Sequence, residues 1–302
     1  MREQQTVAAT FRLSGVGLHH GLPAELVVEP APPSTGLVFV REDAGGLEIP
    51  ALQHFRSAMV HATRLERDGV AIDTPEHLLA ALYALGVDNA RMRLTSSEVP
   101  ILDGSALPFA HAVLEAGIET QDVPREQLVV TRSVVVEDDD RRLEIHPYDG
   151  FKLTAAIDFE HRSLGYQELT LNLDREDEFL HKLAPARTFA LKRDVDRLRE
   201  MGLARGGTLD NAVVVGDDGV LGGELRFPDE FVRHKLLDLV GDLALIGCGV
   251  RGRMVAWRSG HAFHGRLVDA ILSDRRSWVY EPAAGQSEPP ARPTPPGRVR
   301  VG

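Results

Sequence analysis

Read by its apolar and polar positions, the chain sets strands ahead of helices twice over. Residues 5–12 and 24–30 predict strands on either side of a turn at 14–21, and 37–40, 58–65 and 89–94 predict further strands. A helix opens after Asp73. Thr74 suits its N-cap, Pro75 its first position and Glu76 its first turn, while Leu78, Leu79, Ala81, Leu82 and Leu85 mark its core side. A second helix covers about 107–116. Beyond it, 128–136 and 142–146 predict a hairpin around the acidic run 137–140, and 152–159 and 168–173 predict two more strands. A helix at about 191–201 is broken by Gly202, Gly206 and Gly207, and a short strand follows at 212–215. The longest helix spans about 228–246 and is closed by Gly247 and Gly249. A strand at 252–257 leads to Ser259-Gly260-His261, and a last helix covers about 265–273.

This order favours an α+β fold over a doubly wound parallel sheet, and no strong internal sequence repeat stands out. The polar segment 119–126, with Pro124, marks a boundary between an N-terminal α+β domain, 1–122, and a C-terminal one, 123–280. Pro, Gly, Ser and Arg dominate 281–302, the composition of a disordered tail.

Composition narrows the functions. A chain of 302 residues, 43% hydrophobic and 26% charged, can bury a sizeable core. A net charge of −11 argues against a nucleic-acid partner, so any anionic ligand must be met by locally placed Lys and Arg. Cys248 is the only cysteine; no intramolecular disulfide can form, and any zinc would rest on His and carboxylate, which leans catalytic. No apolar run reaches about 18 residues, so no membrane span is expected. The first twelve residues lack a signal peptide's apolar core, and the expected location is cytoplasmic. Nothing calls for an obligate protein partner.

The chemistry concentrates in the longest helix. His234, Asp238 and Asp242 follow one another at four-residue steps, which stacks them on one face of an otherwise apolar helix. That helix alone leaves two readings open: a solvated stripe, or ligands for a divalent cation. Two other stretches bear on the choice, Thr74-Pro75-Glu76-His77 and Ser259-Gly260-His261.

Seven stretches then occur in one order: Gly15-Val16-Gly17-Leu18-His19, Glu76-His77-Leu78, the segment 98–105, Ala186-Arg187-Thr188-Phe189, Leu209-Asp210-Asn211-Ala212, the segment 225–242, and Ser259-Gly260-His261. In this order they resemble the zinc-dependent UDP-3-O-acyl-N-acetylglucosamine deacetylases of lipid A biosynthesis, over nearly the whole chain to about Tyr280. The resemblance implies two α/β sandwich domains related by a pseudo-repeat, with the active site between them. It implies Zn2+ held by His77, His234 and Asp238, with one position open, and the same ligands accept Fe2+. It implies Glu76 as general base and His261 as the group that stabilises the oxyanion and protonates the leaving amine. Asp242 would orient His261, and Thr188 would donate to the oxyanion.

The implied substrate is a UDP-sugar lipid precursor, whose N-acetyl group is hydrolysed to acetate. Lys235 is a candidate substrate contact. Phe159 and His161 are implied near the UDP portion, although Phe159 reads equally well as strand core. The segment 189–207, with Phe189, matches a hydrophobic passage for the acyl chain. Val195, Leu198, Met201 and Thr208 are candidate lining residues, with plain helix packing as the alternative. His19, with Gly17 and Gly21 on either side, sits where backbone can approach a ligand closely, or in an ordinary hairpin loop. Pro75, His61, Arg258, Phe263 and His264 depart from the family pattern. Two other functions are a binding homologue without turnover and a zinc amidase on another nucleotide sugar. Retention of Glu76, His77, His234, Asp238 and His261 argues against the first, and the acyl segment against the second.

Overall fold

The structure is a computed structural model and describes residues 2–59 and 61–281. Its fold is α+β, built from one strand plan used twice. In the first half, β1 (Phe11–Val16), β2 (Pro23–Pro30), β3 (Leu37–Arg41), β4 (Leu47–Pro50) and β5 (Ala90–Leu94) form a sheet in the order β1-β2-β5-β3-β4. Every neighbouring pair is antiparallel except β3 with β5. In the second half, β6 (Val134–Asp138), β7 (Arg141–His146), β8 (Phe151–Phe159), β9 (Gly165–Asn172) and β10 (Gly249–Trp257) take the order β6-β7-β10-β8-β9. Again only the pair β8 and β10 is parallel. The strand Gln127–Val130 extends this second sheet alongside the start of β10 and carries Trp278–Glu281 on its other side.

The helices follow the same plan. α1 (Glu76–Ala84) precedes β5 and α2 (Leu107–Ala116) follows it. After α3 (Lys192–Glu200), α4 (Glu230–Leu243) precedes β10 and α5 (His261–Ser273) follows it. A small three-stranded sheet is inserted before α1 and another before α4; α3 lies within the second insert. The repeat implied by resemblance is therefore visible in topology, although the residues do not repeat.

α1 and α4 pack against each other in the middle of the molecule, and every side chain from Glu76 to Leu82 is buried. Leu78, Leu79 and Leu82 share one core with Phe231, Leu236, Leu239 and Val240. The two backbones meet at Gly241, where an added Cβ would lie 2.1 Å from the Glu76 carbonyl oxygen. Among the described residues no helix is long and apolar enough to cross a membrane.

Several elements differ from expectation, each for a local reason. The run 5–12 is two strands: Glu3–Val7 pairs with Ile118–Pro124, and Phe11 onward joins a different sheet. The polar stretch expected as a boundary is thus largely strand itself. The run 58–65 is strand only from Arg64, and His61 is left-handed at φ 61°. Thr74 does not cap α1. It is left-handed at φ 56° and its hydroxyl donates to the buried Glu98 at 3.0 Å, so the helix starts at Glu76. Likewise 128–136 splits into Gln127–Val130 and β6. α4 starts at Glu230 rather than Pro228, and α5 starts at His261, four residues before the expected position. Gly17 and Gly21 admit protein rather than a ligand: a Cβ on Gly17 would strike Glu98, and one on Gly21 would press on Arg205. The expected tail lies outside the described residues beyond Glu281.

The start of α4 is fixed by Glu230, which is fully buried. Its carboxylate accepts from Arg187 N (3.0 Å), Nε (2.9 Å) and Nη2 (3.1 Å), and from Arg226 N (2.6 Å). Burial opposes its charge, but these donors outweigh it and hold its pKa below the ordinary 4.5. Glu230→Ala should cost about 3–5 kcal/mol in urea unfolding, the scale for leaving a buried partner uncompensated. Because the folded pKa is the lower one, the wild-type advantage should be complete above pH 4.5 and fade as acid protonates Glu230 below it. An advantage constant through that window would contradict the assignment.

Gly241→Ala tests the helix contact. Helix propensity alone would favour Ala by about 1 kcal/mol, whereas overpacking against backbone costs about 1–3 kcal/mol or more. The melting temperature should fall. A rise would mean that α1 and α4 stand further apart.

Candidate metal and active site

Three buried elements converge where α1 crosses α4. The first turn of α1 supplies Glu76 and His77, one face of α4 supplies His234, Asp238 and Asp242, and the first turn of α5 supplies His261 and His264. All seven are at least nine-tenths buried.

His77, His234 and Asp238 place one potential ligand atom each within 4.8 Å of one another. His234 Nδ1 donates to the Ala186 carbonyl at 3.0 Å, which leaves its Nε2 as an unprotonated acceptor. That nitrogen faces Asp238 Oδ1 at 3.3 Å, and His77 Nε2 lies 3.9 Å from the same oxygen. Asp238 Oδ1 is buried and accepts no hydrogen bond. Burial and the neighbouring His234 push His77 down to about 3, so it is neutral. Burial lowers His234 too. Burial disfavours the Asp238 anion, but the neighbouring positive charges of Lys235 and His261 oppose it, and Asp238 is held far below the usual carboxylate range. Two neutral imidazoles and an anionic carboxylate are the protonation states that a divalent cation requires. The orphaned oxygen is the group that such a cation would satisfy.

Asp242 is arranged differently. Thr63 Oγ1 donates to its Oδ1, while His261 Nδ1 and His264 Nδ1 meet its Oδ2 at 2.8 and 2.7 Å. These three residues also lie at metal-ligand spacing, but their facing atoms already hydrogen-bond one another. They do not call for an ion. Burial disfavours charge on Asp242, but His261 and the hydrogen bonds hold it well below the carboxylate range. His261 Nε2 then lies 3.7 Å from Glu76 Oε1 and 3.7 Å from Asp238 Oδ2. Burial works against its charge, yet Asp242, Asp238 and Glu76 together raise it to about 9. Glu76 is pushed up to about 8, first by burial, with Asp238 and Asp242 adding to it and His261 offsetting part. A cation on the neighbouring ligand set would favour its charged form.

The other expected residues are spread more widely. Lys235 Nζ sits 3.0 Å from Asp238 Oδ2 and 5.6 Å from the Phe189 ring centre. Phe189 also packs edge-on with Phe159 (6.1 Å), Phe231 (4.9 Å) and His234 (6.3 Å). Thr188 precedes it, held through its backbone by Gly104 and Val213. His161 shapes the turn between β8 and β9, where its Nδ1 accepts from Ser163 N at 3.2 Å. Val195 is half-buried on α3, whereas Thr208 is exposed in the turn before Asn211. His19 is 2% exposed and neither ring nitrogen has a partner, while its own amide donates to Glu98 at 2.7 Å. His61 is exposed.

Thr63 was not foreseen. It lies in an irregular segment, and nothing in its neighbours marks it. Its amide reaches Glu76 Oε2 at 3.3 Å and its hydroxyl reaches Asp242. His264 was noticed only as a departure; its three-residue spacing from His261 was the signal that could have paired the two.

Comparison with known proteins points to a single family. The family model for UDP-3-O-acyl N-acetylglycosamine deacetylase matches residues 4–273. The chain is 45% identical over 282 residues to a UDP-3-O-acyl-N-acetylglucosamine deacetylase of Myxococcus xanthus, covering 93% of this chain and 90% of that protein. A protein of the same name from Anaeromyxobacter dehalogenans is 43% identical over 289 residues, covering 95% and 93%. Another from Histophilus somni is 39% identical across the full length of both. The chain belongs to the UDP-3-O-acyl N-acetylglycosamine deacetylase family.

Proposed function

We propose that the protein hydrolyses the N-acetyl group of UDP-3-O-acyl-N-acetylglucosamine, yielding acetate and the free amine, in lipid A biosynthesis. The names of its relatives support the substrate. The observation that carries the chemistry is the unpartnered Asp238 Oδ1 facing His77 and His234, with Glu76 and His261 beside it. The proposed metal is Zn2+, with Fe2+ as an alternative for the same ligands. When bound, it supplies Lewis-acid polarisation of the acetamide carbonyl and of water.

The chain's own residues do the rest. Glu76 takes a proton from the attacking water, a role suited to a carboxylate whose burial makes it a stronger base. His261 is kept charged by Asp242 and presents Nε2 beside Glu76. Its positive charge stabilises the oxyanion, and its proton passes to the amine nitrogen as the C–N bond breaks. Thr188 is a further donor to the oxyanion in this reading. Lys235 is the nearby cation for a substrate oxygen. Phe159 and His161 would face the nucleotide portion, and Phe189, packed edge-on against Phe159, would begin the acyl passage. Val195 and Thr208 would border the acyl chain, and the unpartnered ring of His19 offers nitrogens to a polar substrate group.

Glu76→Gln should keep the metal while kcat falls about 10²–10⁴-fold, the range for losing a general base. Asp238→Asn should instead lose metal, read by elemental analysis after dialysis. Unchanged turnover in the first variant, or full metal retention in the second, would reassign the roles.

Acetate release from the 3-O-acylated substrate should greatly exceed that from UDP-N-acetylglucosamine, since remote binding energy aligns the reacting bond. Equal kcat/KM values would reject the acyl passage, and no release from either by metal-loaded enzyme would reject the activity.

A further inference from the structure

Asp242 is shared by two histidines, and only one of them has a role in the proposed reaction. His264 has a completely buried side chain, and both of its ring nitrogens are engaged: Nδ1 lies 2.7 Å from Asp242 Oδ2 and Nε2 lies 2.9 Å from Ser259 Oγ. An ionised carboxylate only accepts, so His264 Nδ1 must carry a proton. Burial favours the neutral ring over the charged one, although Asp242 opposes this. In the neutral ring Nε2 has a lone pair, so the Ser259 hydroxyl must donate to it. One line of donors therefore runs from Ser259 O–H to His264 Nε2 and from His264 Nδ1–H to Asp242 Oδ2.

We propose that His264 is a positioning residue: fixed as the Nδ1–H tautomer by Asp242 and held in place by Ser259, it keeps Asp242 Oδ2 in register with His261 Nδ1 and so aims His261 Nε2. Asp242 belongs to α4, whereas His261 and His264 lie three residues apart on the first turn of α5, with Ser259 just ahead of it. One oxygen thus ties the two helices at the point where His261 emerges. Thr63 holds only the other oxygen, Oδ1. Without His264 the carboxylate loses one of the two donors that set the direction of Oδ2. The inference rests on His261 acting as proton donor.

The test has two arms on the full-length, metal-loaded protein. The first is ¹⁵N imidazole spectroscopy of the histidine-labelled enzyme at neutral pH. His264 should give the signature of a neutral ring protonated at Nδ1, and Ser259→Ala should shift its Nε2 resonance while leaving the proton on Nδ1. A ring protonated at Nε2, or a charged one, would overturn the assignment whatever the enzyme's substrate.

The second arm is kinetic. His264→Asn keeps a donor near the Nδ1 position and should hold kcat within about threefold, while His264→Leu should lower it roughly 10- to 100-fold, with KM and metal content unchanged. Ser259→Ala should lower kcat in the same direction. Asn and Leu falling together would assign His264 to packing, and neither falling would leave it without a positioning role. Should the Leu variant fail to fold, Ser259→Ala decides: a kcat equal to wild type would overturn the proposal. An active-site reading that fails would show as metal-loaded wild type without acetate release, while the tautomer result would still stand.

Discussion

The contact between the backbones of α4 and α1 at Gly241 is the constraint on which the site depends. A side chain there would overlap the Glu76 carbonyl, so glycine alone lets the helices close to this distance. The same approach brings His77 of α1 into reach of His234 and Asp238 on α4. It also brings the Glu76 carboxylate to the edge of His261. A glycine inside a helix carries a cost in propensity of about 1 kcal/mol, which the packing of two apolar helices offsets.

Closing two helices over three carboxylates creates an electrostatic problem that the structure solves in two ways. Asp242 is satisfied within the protein, by a hydroxyl and two imidazoles. Asp238 has Lys235 on one oxygen and no donor on the other. The contrast separates two clusters with almost the same residue types and spacing: one is a closed hydrogen-bond network, and the other leaves a carboxylate oxygen that a cation could satisfy. Glu76 stands between them, and His261 touches both.

Much of this was legible because it lies on regular helices. The four-residue spacing of His234, Asp238 and Asp242 placed all three on one face, and the apolar positions of α1 and α4 identified their buried sides. The stripe could not by itself say whether it faced water or an ion, since that depends on where α1 lies. The parts that were not legible depend on irregular backbone. Thr63 reaches the site from the part of 58–65 that reads as strand but is irregular, and Thr74 gives up a cap to a glutamate 24 residues away. Ser259 and Gly260 read as loop and so delay the expected start of α5, yet Gly260 is extended and its carbonyl begins the helix, accepting from Phe263 and His264.

The repeat explains why the site sits where it does and why no sequence repeat announces it. α1 and α4 occupy the same place in the two halves, each leading into the strand that has a parallel neighbour in its sheet. Their contact is therefore between equivalent elements, and nothing in the topology distinguishes them. The chemistry does. α1 contributes at its first turn, where Glu76 and His77 are adjacent, and α4 contributes along its length, at four-residue steps. Two copies with the same polar residues would bring like charges together across the contact. Divergence lets a carboxylate of one helix meet imidazoles of both, so the difference between the halves, rather than their likeness, makes a metal site there electrostatically feasible.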